Sequence, residues 1–279
     1  MMERMMTQSE RLDFLIEAFK REASEYAGMK TPSDPAMKRR LLRSLMNVRP
    51  PGPLSEEVLK IQDAYLSARA AEAGRVGLDA IPTIRDAYGG ANPFADVLSV
   101  WQGDITRLSI DAIVNAANSA MLGCFVPCHG CIDNAIHTFA GVQLREACER
   151  KMEALKALYG EEYTQPTAVP MITDGYNLPA KKVIHVVGPI VREELTAADE
   201  QALAACYRNT LDLCAAEGLR SVAFCCLSTG VFRFPKRRAA EIAVSSAVGW
   251  LAENPGRMGR IVFNVFQDED RDYYEDLLS

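Results

Sequence analysis

The residues most able to do chemistry lie in the stretch NAANSAMLGCFVPCHGCIDNAIH, which runs from residue 115 to residue 137. Three cysteines and one histidine fall within eight residues of it: Cys124, Cys128, His129 and Cys131. Thiolate and imidazole groups are the usual protein ligands of zinc, and clustered cysteines in a reducing compartment are typical of metal or catalytic sites. We therefore predict a zinc site, in preference to buried free thiols that serve only packing.

The spacing within the cluster leaves two kinds of zinc site open. Adjacent side chains of an extended segment point to opposite sides, so His129 and Cys131 share one side and Cys128 faces the other. A glycine and a proline mark a turn that could return Cys124 to the first side. This favours three ligands, Cys124, His129 and Cys131, with an open position that is typical of catalytic zinc. The alternative is a closed Cys3His site that includes Cys128 and is structural.

Composition excludes several classes of protein. The chain has 279 residues, of which 48% are hydrophobic and 24% charged, so it can bury a sizeable core. Its net charge of −6, without a basic stripe, argues against a nucleic-acid binder. The charged N-terminal segment lacks the apolar core of a signal peptide, and no apolar run approaches the roughly 20 residues of a membrane span. We expect a cytoplasmic monomer whose eight cysteines form no disulfide framework.

The elements that must position the cluster change in kind along the chain. Residues 1–90 predict an N-terminal helical extension packed on the core, because apolar residues recur there at helical spacing. A second unit, residues 91–279, alternates helical stretches with short apolar runs rich in valine and isoleucine. The runs are VLSVW, AIVNAA, AVPMIT, KVIHVVGP, SVAFCCL and RIVFNVF. This alternation predicts an α/β fold with a largely parallel sheet and helices on both faces.

Polar and small residues follow the predicted strands, where ligands bind in such folds. Asp104 follows the first strand, and Asn115 and Asn118 lie at the end of the second. The Ser228-Thr229-Gly230 turn before a helix offers backbone N–H groups to a phosphate. Phe266 ends the last strand and could stack on a base, although an aromatic residue at this place is also compatible with an ordinary core position.

Several motifs in register resemble the macrodomain family, an ADP-ribose-binding module. They are GDIT, NAAN, IDNAIH, VIHVVGP and STGVF, and the resemblance covers residues 98–279. It implies a three-layer α/β/α fold with a mixed, mostly parallel sheet. After NAAN, the hydrolase branch usually reads valine-aspartate-glycine-alanine-isoleucine-histidine, whereas this chain has CIDNAIH and extra cysteines. That departure and the helical extension are similar to zinc-dependent bacterial macrodomains, a sirtuin-linked branch of protein-ADP-ribose hydrolases.

The resemblance implies a role for each residue of the predicted site. Asp104 would accept from the adenine amino group beside the backbone N–H of Ile105, and the turn from Ser228 to Phe232 would wrap the diphosphate. The ADP-ribose-binding set comprises Asp104, Ile105, Asn115, Ser228, Thr229, Gly230, Val231, Phe232 and Phe266. Asn118 and Asp133 would face the distal ribose as the catalytic pair. Arg233 takes a place that is usually glycine in the family.

These observations together predict an enzyme. We expect a zinc-dependent hydrolase that removes mono-ADP-ribose from aspartate or glutamate side chains of proteins, with Zn²⁺ as cofactor and mono-ADP-ribosylated protein as substrate. The alternatives are a module that reads ADP-ribose without cleaving it, and a deacetylase of O-acetyl-ADP-ribose. Asn118, Asp133 and the metal loop favour an enzyme over a reader.

Overall fold

A computed structural model of the protein describes residues 6–89 and 92–279. The chain begins with four helices, which are α1 (Gln8–Glu22), α2 (Ser24–Ala27), α3 (Pro35–Val48) and α4 (Glu56–Ala73). Three of them start at a side-chain cap, because Thr7, Asp34 and Ser55 each accept a hydrogen bond from a backbone N–H of the first turn. The helical character predicted for this part of the chain is confirmed.

The remaining elements alternate between strands and helices. The strands are β1 (Val76–Gly77), β2 (Leu98–Gln102), β3 (Leu108–Ser109), β4 (Ala112–Ala117), β5 (Met171–Asp174), β6 (Lys182–Val187), β7 (Ser221–Phe224) and β8 (Arg260–Val265). The helices are α5 (Ile84–Tyr88), α6 (Ile132–Ala140), α7 (Val142–Tyr159), α8 (Ala197–Ala216), α9 (Lys236–Glu253) and α10 (Asp268–Leu278). The six predicted strands are confirmed. The sequence did not predict β1, β3 and α5, which are too short to show a periodicity.

Within the described residues, the main sheet has six strands in the order β2-β8-β7-β4-β6-β5. All neighbouring strands are parallel except β5, which runs antiparallel to β6. Helices α8, α9 and α10 pack together, α6 packs on α7, and helices cover both sides of the sheet. The predicted α/β/α layers and the mixed, mostly parallel sheet are therefore confirmed.

The N-terminal helices form an apolar cluster of their own, which one buried residue of α7 joins. The cluster contains Leu12, Leu15, Ile16, Phe19, Leu42, Leu45, Met46, Tyr65 and Leu66, together with Val142 of α7. Helices α3 and α4 also contact α6, which follows the cysteine-rich loop. The predicted boundary between residues 90 and 91 lies outside the described residues, and the division into two units stays a prediction.

The parallel strands bring the predicted site residues to one edge of the sheet. Strands β2, β8, β7 and β4 are neighbours in that order and point the same way, so the segments after them lie side by side. Those segments contain Asp104, Phe266, Ser228 and Asn118, respectively. None of the helices in the described ranges combines the length and apolar character needed to cross a membrane.

Candidate active site

The three predicted zinc ligands come together in the loop between β4 and α6. Cys131 is the N-cap of α6, and its Sγ accepts a hydrogen bond from the Asn134 backbone N–H at 3.4 Å. The Sγ of Cys124 lies 3.6 Å from Nδ1 of His129. The ligand atoms of Cys124, His129 and Cys131 all lie within 4.8 Å of one another. Two thiols and one imidazole this close form a donor set that suits zinc with three protein ligands.

Electrostatics at the cluster also fit a bound cation. Burial, together with the neighbouring Cys124, raises the pKa of Cys131 to about 11. Two thiolates side by side are costly unless a positive charge stands between them, and a divalent ion deprotonates the thiols that bind it. The raised pKa keeps the Cys131 thiol protonated at neutral pH, and a bound divalent ion would favour its thiolate.

Cys128 points away from the other two cysteines of the loop. Its Sγ lies 3.2 Å from Oγ of Ser44 and 3.4 Å from the carbonyl oxygen of Arg40, both on α3. Its backbone has φ of 53°, in the left-handed region that few residues other than glycine adopt. This arrangement supports the open three-ligand set over the closed Cys3His alternative.

Asp133 lies in the first turn of α6, two residues after Cys131, and its side chain is almost fully buried. Its Oδ1 accepts from Nδ2 of Asn115 at 2.8 Å, and its Oδ2 accepts from Nδ2 of Asn118 at 3.3 Å. Burial raises the pKa of Asp133 to about 6, although the hydrogen bond from Asn115 pulls that pKa down. A carboxylate with this pKa is ionised at neutral pH and basic enough to accept a proton.

Asn115 is fully buried and connects Asp133 to His185. Its Nδ2 lies 3.1 Å from Nδ1 of His185, and Nε2 of His185 lies 3.0 Å from Oγ1 of Thr173. Because the Asn115 amide donates with both hydrogens, Nδ1 of His185 accepts and Nε2 carries the proton. Burial lowers the pKa of His185 to about 3, so the ring is neutral. Asn115 thus lies in the protein interior, between Asp133 and His185. The predicted contact of Asn115 with ADP-ribose stays a prediction.

His137 lies one helical turn after Asp133, with Nε2 3.5 Å from the Asp133 Oδ1. Burial holds the pKa of His137 well below its ordinary value. Gly123 of the cysteine-rich loop packs directly on this ring, since a Cβ at Gly123 would stand 2.7 Å from Cγ of His137. Gly123 also has φ of 80°, so glycine is required here both by space and by backbone conformation. The contact between Gly123 and His137 packs the cysteine-rich loop against α6.

The predicted adenine end lies after β2. Oδ1 of Asp104 accepts from the backbone N–H of Thr106 at 3.0 Å and from its Oγ1 at 2.7 Å. Ile105 has a buried side chain, and its backbone N–H has no acceptor within the ranges that the structure describes. Phe266, after β8, is 75% exposed, so its ring is open to a planar ligand and is not part of the core.

The predicted diphosphate turn follows β7. Ser228 has φ of 64° and a buried Oγ without a hydrogen-bond partner, packed against Gly188. For the described part of the chain, no acceptor faces four successive backbone N–H groups, those of Thr229, Gly230, Val231 and Phe232. Such a run of free amides is a typical anion-binding feature. Arg233 has φ of 59°, the conformation that glycine favours, and its guanidinium donates to the carbonyl of Arg192.

Three residues around the cysteine loop were not singled out from the sequence. Arg43 of α3 and Asn134 of α6 bind each other and the loop backbone. Arg145 of α7 donates to the carbonyl of Leu122 at 2.7 Å and lies 4.2 Å over the ring of Phe125. Only Asn134 carried a sequence signal, because it replaces a glycine of the motif that the chain resembles.

The fold is that of an α/β protein whose candidate site residues follow the carboxyl ends of its parallel strands, and comparisons with known proteins agree. The Macro domain family model matches residues 114–243. A protein-ADP-ribose hydrolase of Treponema medium is 48% identical over 274 residues, which cover 98% of this chain and 100% of the relative. A protein-ADP-ribose hydrolase of Staphylococcus aureus (strain MRSA252) is 41% identical over 279 residues, covering 100% of this chain and 98% of the relative.

A solved structure shares the architecture. The crystal structure of a Trypanosoma brucei macrodomain in complex with ADP-ribose superposes with a TM-score of 0.62 at 27% identity, covering 89% of this chain and 97% of that one. The chain belongs to the macrodomain family, as the motifs predicted.

Proposed function

We propose that this protein is a zinc-dependent hydrolase that removes mono-ADP-ribose from aspartate and glutamate side chains of modified proteins. The observation that carries the proposal is the position of Asp133, a buried carboxylate beside the Cys124/His129/Cys131 group at the carboxyl end of β4. The names of the two relatives support hydrolysis of protein-linked ADP-ribose.

The sheet edge offers ADP-ribose a binding path of suitable length. Neighbouring strands lie about 4.8 Å apart, so the path from β2 to β4 across β8 and β7 spans roughly 14 Å. In the proposed pose, adenine lies between Asp104 and the exposed ring of Phe266, and the four free amides after Ser228 face the diphosphate. The distal ribose then lies at Asn118 and Asp133, next to the metal loop.

Each residue near the distal ribose has a chemical task in the proposal. Cys124, His129 and Cys131 would hold the zinc, which when bound polarises an oxygen ligand and lowers the pKa of water toward about 7. Asp133 accepts a proton from the attacking water, and its raised pKa suits that step. Nδ2 of Asn118 donates to Oδ2 of Asp133 and to the carbonyl oxygen of Gly123, so Asn118 fixes the orientation of the carboxylate.

The same site can be compared with the two alternative functions, a reader module and a deacetylase. A reader module needs affinity for ADP-ribose but no base, and the buried Asp133 with its raised pKa favours an enzyme instead. A deacetylase of O-acetyl-ADP-ribose would use the same base on a small-molecule ester, so substrate comparison separates it from the proposed activity.

The test is release of ADP-ribose from a protein modified on glutamate, followed with time for enzyme as purified, after chelation, and after zinc is restored. We expect release that chelation abolishes and zinc restores. Tight binding of the modified protein without release would assign a reader. Turnover of O-acetyl-ADP-ribose with an unchanged protein substrate would assign the deacetylase, and full activity in a chelated, zinc-free sample would remove the metal from the proposal.

A further inference from the structure

We propose that Arg43 and Asn134 are positioning residues for all three metal ligands, so that helix α3 of the N-terminal extension forms part of the metal site. This inference rests on the zinc site of the proposed function, and it assigns a purpose to the extension and to the asparagine of the IDNAIH motif.

Asn134 touches the two cysteine ligands and the loop between them. It is fully buried, and its backbone N–H donates to Sγ of Cys131 at 3.4 Å. Its side-chain Nδ2 donates to the carbonyl oxygen of Cys124 at 3.4 Å and to that of Val126 at 3.0 Å. A single residue of α6 therefore holds one ligand by its sulfur and another by its main chain.

Arg43 completes the arrangement from the other side of the loop. Its Nε and Nη2 donate to Oδ1 of Asn134 at 3.1 Å and 2.7 Å, and Nη2 also donates to the carbonyl oxygen of His129 at 3.0 Å. Because the guanidinium only donates, it fixes which end of the Asn134 amide faces the loop. Without Arg43, that amide could turn over and release the carbonyls of Cys124 and Val126.

A second contact from α3 holds the turn between the ligands. The backbone N–H of Cys128 donates to Oδ1 of Asn47 at 2.9 Å, and Nδ2 of Asn47 donates to Thr138 of α6 at 2.9 Å. Asn47 is almost fully buried. The left-handed backbone of Cys128 persists because Asn47 and Ser44 hold it from outside, and this turn carries the chain from Cys124 back to His129. Cys128 thus anchors the loop to α3.

Outer contacts of this kind matter because a metal binds most tightly to ligands that are already in place. Removal of a residue that orients a metal ligand typically lowers metal affinity by 10–100-fold. The Arg43–Asn134 pair reaches all three ligands at once, through the Cys131 sulfur and the main chains of Cys124 and His129. Helix α3 therefore preorganises the loop, and loss of its contacts weakens zinc without removing a ligand.

The test is a chelator-competition titration of the full chain with zinc alone, comparing Arg43→Ala with wild type. We expect Arg43→Ala to weaken zinc binding by about tenfold or more, and Asn134→Ala to do the same. Arg39→Ala is the matched control, because Arg39 is exposed on the same helix and has no contact with the loop among those described. Arg39→Ala should bind zinc as wild type does. Thermal unfolding in chelator checks that each variant is folded.

The outcomes separate this inference from the proposal beneath it. Equal zinc affinity for wild type, Arg43→Ala and Arg39→Ala overturns the positioning role. If Cys124→Ser also keeps the zinc, the metal site itself is wrong and the proposed function fails with it. Should Arg43→Ala not fold, Arg43→Met keeps the packing of the stem and removes the donors, and it must then show the tenfold loss. An Arg43→Met variant with wild-type affinity contradicts the inference equally.

Discussion

Asn115 donates a hydrogen bond of 2.8 Å from Nδ2 to Oδ1 of Asp133, and neither side chain is more than slightly exposed. The same nitrogen lies 3.1 Å from His185 on the neighbouring strand, whose ring in turn contacts Thr173. A buried chain of contacts from β5 through β6 and β4 therefore fixes one oxygen of the proposed base. The other oxygen of Asp133, Oδ2, accepts a hydrogen bond from Nδ2 of Asn118.

This relationship makes Asp133→Asn an informative variant. The substitution keeps the volume of the side chain but removes its capacity to accept a proton, so we expect ADP-ribose release to slow by about 100-fold or more. ADP-ribose affinity should change little, because Asp133 acts at one end of a long ligand. Single-turnover release and calorimetry measure the two quantities. Asp174→Asn, an exposed aspartate at the end of β5, is the control. A wild-type rate for Asp133→Asn would mean that another group is the base.

The opposite directions of two cysteines predict opposite mutant phenotypes. Cys124→Ser removes a sulfur from the three-ligand group and should lose zinc and activity together. Cys128→Ser keeps a hydroxyl that can replace the contact with Ser44, so zinc content and activity should remain close to wild type. Elemental analysis of both purified variants decides the point. Equal loss of metal from the two would favour the closed Cys3His site.

Asp104→Ala tests the adenine end. Loss of the proposed carboxylate contact should weaken ADP-ribose binding by about 1–3 kcal/mol, the cost of leaving a buried polar group unpaired. Zinc content should not change, because Asp104 follows β2, three strands away from β4 and the proposed metal ligands after it.

Asp104 also caps the turn that contains Thr106, so calorimetry needs a second variant. Thr106→Val removes the hydroxyl partner of Asp104 and leaves its carboxylate available to adenine. If Thr106→Val weakens ADP-ribose binding as much as Asp104→Ala does, the carboxylate acts by shaping the turn. Equal affinity of wild type and Asp104→Ala would show that adenine binds elsewhere.

The buried histidines should make the fold sensitive to acid. Burial lowers the pKa of His185 to about 3 and that of His137 well below its ordinary value. Below pH 6.5 the unfolded chain therefore binds more protons than the native protein. The free energy of unfolding should fall by about 1 kcal/mol per histidine between pH 7 and pH 5.5. The raised pKa of Asp133 acts in the opposite direction, because native Asp133 takes up a proton from pH 6 downward, and it offsets less than one histidine.

Urea unfolding at several pH values measures this effect. Chelator is present throughout, so that acid release of zinc does not contribute to the slope. The slope of the unfolding free energy against pH should be smaller in His185→Gln between pH 6.5 and pH 4, because unfolding of that variant takes up one proton fewer. This change in slope does not depend on the absolute stability of the variant. A wild-type slope in that variant would show that His185 is protonated in the native protein.

The sequence was sufficient to predict the sheet and the close approach of Cys124, His129 and Cys131, while zinc binding by them stays a prediction. Runs such as KVIHVVGP and RIVFNVF are β-branched and continuous, and this is how strands buried on both faces look in any sequence. The alternation of side chains around His129 predicted correctly that Cys128 and the pair formed by His129 and Cys131 would face different ways, although the role of each residue stays a prediction.

The supporting contacts could not be predicted in the same way. Asn115 lies opposite His185 in the parallel register of β4 and β6. The contact between their side chains depends on that register. Arg43 contacts His129 in the loop and Asn134 in α6, which lie 86 and 91 residues further along the chain. No local sequence pattern indicates either contact, because both depend on how separate elements pack.

The most direct test of the account is linkage selectivity. An ester to aspartate or glutamate leaves as a carboxylate and needs little protonation, whereas a bond to arginine breaks only with help from a strong general acid. From Asn115 to His137 the sole carboxylate is Asp133, which is the proposed base.

The measurement is ADP-ribose release by the zinc-loaded enzyme from two matched proteins, one modified on glutamate and one on arginine. We expect release from the glutamate-linked protein to be at least about 100-fold faster than from the arginine-linked one, because a general acid typically contributes a factor of this size. Comparable rates on both substrates would contradict this expectation, because they would require a general acid from outside the segment between Asn115 and His137.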